Sequence, residues 1–235
     1  MKKKVLLIGN NRGLNGVQID LNSYRDFFKS QVGGKWNSDE IISTMNPRKS
    51  ELEAMIDKLK KESLDYLIVI FSGHGGLERE TVLELNSYGE EIEESKLKYI
   101  ASRQVNIFDC CRSVSESTSA IFESKSLNFS EFNLREKYEK RIMQAIPQQI
   151  SLYSCAENET SNDTPTGGIY TQCLLKAARN ITGPFKTVSE IQQEARNCTI
   201  EKTKNFPPKD QQHPEAILPK CLNSQELIFS INPNI

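Results

Sequence analysis

Histidine is scarce in this sequence: only His74 and His213 occur in 235 residues. Any chemistry that needs an imidazole base therefore has two candidates. Long apolar runs are absent, and none approaches the roughly 18 residues of a membrane span. The start, Met1-Lys2-Lys3-Lys4, leads into a short apolar run that ends at Gly9, with no small-residue cleavage site after it. A secretory leader is not expected, and the expected compartment is the cytoplasm. An excess of either charge is also missing. Thirty basic and 31 acidic residues give a net charge of −1, so no broad basic field exists for nucleic acid or an anionic membrane. The six cysteines form no CxxC pair and no evenly spaced ladder. Zinc and a disulfide framework are thus disfavoured, and mostly buried, reduced thiols are expected.

What remains is an ordinary globular composition, 37% hydrophobic and 26% charged. The length suits one large domain or two small ones. Apolar runs at 4–9, 65–71, 104–108 and 149–154 predict strands buried on both faces, with shorter strands at 40–45, 215–218 and 226–230. Helical spacing predicts helices over 18–30, 50–61, 93–101, 168–179 and 187–198. Residues 113–147 are rich in Ser, Glu, Lys and Asn. They suit a long surface loop or a linker with a helix inside it. Strand–helix alternation predicts an α/β fold, with a mostly parallel central sheet of about six strands and helices on both faces. In such sheets chemistry gathers at the carboxyl ends of the strands.

Two such ends carry reactive residues. After the 65–71 strand comes Ser72-Gly73-His74-Gly75-Gly76, a histidine stripped of bulky neighbours. After the 104–108 strand comes Asp109-Cys110-Cys111-Arg112-Ser113. A thiol beside an imidazole makes a nucleophile, because the base takes the thiol proton and the thiolate attacks a carbonyl. Adjacent residues on an extended strand face opposite ways, so one cysteine can be structural while its neighbour faces the site. His213 precedes Pro214 in a loop-like stretch, which leaves His74 as the base. A nucleotide-binding loop is a poor alternative for LIGNNRGLNG, whose glycines at 9, 13 and 16 do not match the G-x-G-x-x-G spacing. A redox pair at Cys110-Cys111 lacks CxxC geometry.

SGHGG followed by DCCRS resembles the caspase-like cysteine peptidases (family C14), and most nearly the metacaspase and bacterial orthocaspase branch. The resemblance extends from Leu14-Asn15-Gly16 through Asp20 to Ser154–Thr160 and Gly167–Thr171. It implies a single caspase-like domain over 1–235. Within it, 1–112 is large-subunit-like, 113–147 a linker or loop, and 148–235 small-subunit-like. Carried over by motif, Cys111 is the nucleophile, His74 the general acid/base, and Cys110 an inert neighbour. Backbone N–H groups of Gly75 and Cys111 are the expected oxyanion donors. A backbone or loop group near residues 12–16 could orient His74. No cofactor and no metal are implied. The 77–92 stretch has glutamates but no aspartate-rich loop of the calcium-dependent branch, so activity is expected to persist in a chelator.

The resemblance further places Asp20, Asp109 and Ser72 in the first specificity pocket (S1). Two carboxylates there favour a guanidinium or ammonium group, which predicts cleavage after Arg or Lys. An Asp-specific caspase-type protease and a non-catalytic caspase-like scaffold are the alternatives. The expected partners are a protein or peptide substrate and a regulatory protein. Lys125, Arg135, Lys137, Lys140 and Arg141, within the linker, are the expected self-cleavage positions.

Overall fold

The computed structural model describes residues 1–113 and 132–235. The strands are β1 (Lys3–Gly9), β2 (Ile41–Met45), β3 (Tyr66–Ser72), β4 (Gly75–Leu77), β5 (Thr81–Glu84), β6 (Glu91–Glu93), β7 (Arg103–Asp109), β8 (Gln148–Tyr153), β9 (Phe185–Thr187), β10 (Glu215–Ile217) and β11 (Ile228–Ile231). The helices are α1 (Val17–Lys29), α2 (Lys49–Lys61), α3 (Phe132–Gln144), α4 (Ile169–Arg179) and α5 (Val188–Thr203). Six strands form the main sheet in the order β10-β8-β7-β3-β1-β2. All its pairings are parallel except the one between β10 and β8, at one edge.

The continuous apolar strands explain this sheet. Side chains alternate across a strand, so each buried run feeds two cores. Val5 and Leu7 join Ile68, Ile70, Val105 and Ile107 under α1, α3, α4 and α5. Leu6 and Ile8 face the other way, with Leu67, Val69 and Phe71 under α2. Helices thus cover both faces, but unequally. The α2 side is completed by the small antiparallel sheet β4-β5-β6, which contributes Leu83 and Ile92.

Several expectations need correction. The helix expected over 93–101 is only a 3-10 turn, Glu94–Leu97, following β6. Residues 132–144 of the expected linker are α3, whose Leu134, Tyr138 and Ile142 recur every four residues and enter the core. α3 is also tied down by charge. Arg135 pairs with Glu40 at 2.6 Å, and Lys3 pairs with Glu139 at 2.9 Å. Of the six cysteines, Cys173 on α4 and Cys198 on α5 form a disulfide. Cys110, Cys111 and Cys155 are buried free thiols. Among the described residues no helix is long and apolar enough to cross a membrane.

Candidate active site

Register brings the two reactive segments together. β3 and β7 are parallel neighbours that pair Ser72 with Asp109, and β1 flanks β3 with Gly9 opposite Ser72. His74 lies two residues past Ser72, and Cys111 lies two residues past Asp109. Both therefore leave the sheet at one level of its carboxyl edge. Glycine is required between Ser72 and His74: a Cβ at Gly73 would lie 2.8 Å from the Asn10 carbonyl oxygen. Beyond these strand ends lies a cavity of about 20 Å³, room for about one water. His74, Cys111, Asp20, Asp109 and Ser72 all line it, with Leu14 and Val17 as its apolar wall. Gly75 does not; it begins β4 opposite Leu83. Cys110 turns into the core beneath α2, so the adjacent thiols do occupy opposite sides.

The imidazole has a fixed partner. His74 Nε2 lies 2.6 Å from the Arg12 carbonyl oxygen. A carbonyl can only accept, so Nε2 carries the proton and Nδ1 is left to take one. This is the orienting group from the 12–16 region. The Arg12 side chain itself turns to the surface and pairs with Glu84. Cys111 is 7% exposed, and its Sγ donates to the Ser161 carbonyl at 3.7 Å. Burial pushes this thiol up from its ordinary value. Arg112, the next residue, is held by Glu215 at 2.9 Å and stacks over Tyr153 at 4.3 Å. Its amide donates to the Glu159 carbonyl, and together these contacts fix the chain just beyond Cys111.

The acids are buried and bridged to the other half of the sequence. Asp20 accepts from Ser72 Oγ at 2.7 Å and from the Gly168 amide at 2.9 Å. Asp109 accepts from Ser161 Oγ at 2.6 Å and from both the amide and hydroxyl of Thr171. Gly168 and Thr171 lie at the amino end of α4, where free amides and the helix dipole favour negative charge. Burial, and then the neighbouring Asp109 charge, hold the Asp20 carboxyl well above the usual carboxylate range. Sequence reasoning missed a third acid on the cavity wall, Asp163, and the bridging Ser161. Only their polar setting just before Gly167-Gly168 hinted at a loop facing the site. Among the described residues no Lys or Arg lines the cavity.

The expected self-cleavage positions separate. Arg135, Lys137, Lys140 and Arg141 sit on α3, where a bond must leave the helix before it can lie extended in a protease cleft. Lys125 lies outside the described residues.

Parallel strands delivering a histidine and a cysteine to one carboxyl edge, with an antiparallel edge strand after the last helix, define a caspase-like fold. A family model described as Caspase domain, of peptidase family C14, matches residues 2–216, and the chain belongs to that family. Its members are cysteine peptidases. Among solved structures the chain is similar to caspase-1 from Spodoptera frugiperda, with a TM-score of 0.62 and 14% identity over 92% of this chain and 86% of that one. No curated protein matches the chain.

Proposed function

We propose that this chain is a cysteine endopeptidase that cleaves protein or peptide substrates after Arg or Lys, nearest in kind to the metacaspase and orthocaspase branch. His74 Nδ1 takes the Cys111 proton, and the thiolate adds to the scissile carbonyl carbon. The Gly75 and Cys111 amides receive the developing oxyanion. The protonated imidazole passes its proton to the leaving amine, which leaves a thioester on Cys111. Water then attacks the thioester while His74 takes its proton. The acid product departs and the thiol is restored.

One observation carries the specificity. Among the described residues, the cavity holding His74 and Cys111 is walled by Asp20, Asp109 and Asp163 and by no Lys or Arg. An aspartate side chain would meet like charge there, whereas a guanidinium would meet its complement. The test is a set of fluorogenic peptides differing only at P1 (Arg, Lys or Asp), with Cys111→Ala as control. Turnover of the Arg and Lys peptides, lost in the control, is expected. Preference for Asp would overturn the charge assignment, and no turnover of any peptide would favour a non-catalytic scaffold.

A further inference from the structure

We infer that Asp163, outside every motif in the chain, is the residue whose charge selects a cationic P1 side chain. The inference rests on the proposed peptidase reading. Asp20 and Asp109 are already engaged: both oxygens of each accept hydrogen bonds from Ser72, Gly168, Ser161 or Thr171. Those hydrogen bonds hold α4 and the 161–168 segment against the sheet. Asp163 differs. Among the described residues its Oδ2 accepts from the Gly16 amide, at 3.1 Å, and its Oδ1 is buried with no partner at hydrogen-bond geometry, while burial holds the carboxyl above its ordinary value. A buried carboxylate oxygen without a donor is costly to leave unmade. This one belongs to the wall of the same cavity as Cys111 and His74. Three carboxylates thus share one small space, and the last acceptor in it is open. An arriving guanidinium supplies donors for that acceptor and positive charge for the cluster.

Gly16 shows how Asp163 reaches this wall. A Cβ at that position would collide with Asp163 Oδ1 and with the Thr164 carbonyl oxygen, so glycine is what lets the α1 side and the 161–168 segment meet.

Arg and citrulline P1 peptides separate this role from a structural one, because they match in shape and differ in charge. Wild type should favour Arg, and Asp163→Asn should reduce that preference by at least about tenfold, chiefly through KM. Its kcat on the Arg peptide and its thermal midpoint should stay near wild type. Asp163→Glu should keep much of the preference. An unchanged Arg-to-citrulline ratio in Asp163→Asn would overturn this role while leaving the peptidase reading intact. A wild-type chain that cleaves neither peptide would overturn both.

Discussion

Cys110 and Cys111 are neighbours in sequence but occupy different environments. Cys110 is 1% exposed among Phe71, Phe108 and Leu83, while Cys111 borders the carboxylate cavity. Cys111→Ala and His74→Ala should each abolish turnover with the thermal midpoint near wild type. Cys110→Ala should cost about 1 kcal/mol of stability and change kcat/KM only modestly. Peptide kinetics beside thermal melts check this, and full activity in Cys111→Ala would defeat the assignment. Asp20 makes a prediction about pH. Its folded carboxyl is raised by burial, so folding favours its protonated form. The associated stability is present below the ordinary carboxylate value and is lost as pH rises through the raised one. Asp20→Asn should therefore stabilise the fold near pH 7 while weakening cleavage after Arg, and the gain in midpoint should shrink towards pH 4. A stability difference that grows on acidification would contradict this. The meeting of His74 and Cys111 at one cavity was legible because imidazoles are few and each of the two sits just past an apolar run. Asp163 was not, because its partner Gly16 lies 147 residues away and no local spacing announces the contact.

At the scale of elements, the legible parts were those whose periodicity is strong. β1, β3, β7 and β8 are continuous apolar runs, and α1, α2 and α4 show clear apolar faces. β4, β5 and β6 have only three or four residues each, too few for alternation to stand out beside the glycines at 75 and 76. α3 hides its three core positions among charged neighbours, because Arg135 and Glu139 serve an ion-pair cluster rather than solvent alone. The Cys173–Cys198 disulfide joins α4 to α5 across a separation of 25 residues, a spacing without a motif. Closing such a loop stabilises by about 3 kcal/mol in the chain-entropy account. Cys198→Ser, or reductant on the wild type, should then lower the thermal midpoint by roughly 6–12 °C. Because α4 donates to Asp20 and Asp109, KM for Arg peptides should rise in parallel. An unchanged midpoint in reductant would mean the bridge contributes nothing to folding. The bond also bears on the expected cytoplasmic setting, where disulfides are mostly kept reduced.

At the scale of the whole molecule, the sheet is built from both sides of the 114–131 segment. Residues before it supply β1, β2, β3 and β7, while those after it supply β8 and the antiparallel edge strand β10. β8 is hydrogen-bonded to β7 along its length, from Arg103–Gln148 to Phe108–Tyr153. α3 and α4 add apolar residues to the core beneath α1, and Lys3–Glu139 and Arg135–Glu40 cross the same divide. The acids of the cavity cross it too, since Asp20 and Asp109 from the first part are hydrogen-bonded by Gly168, Ser161 and Thr171 from the second. A backbone break between the parts removes one covalent link and none of these contacts. A chain cut after Lys125, by the enzyme or at an engineered site, should therefore run as two bands on a denaturing gel and elute as one species in native size exclusion. It should also keep its Arg-P1 activity, because His74 keeps the Arg12 carbonyl and Cys111 keeps the Ser161 carbonyl. Separation of the pieces in native buffer would show that the intact connection, rather than the shared sheet and core, holds the two parts together.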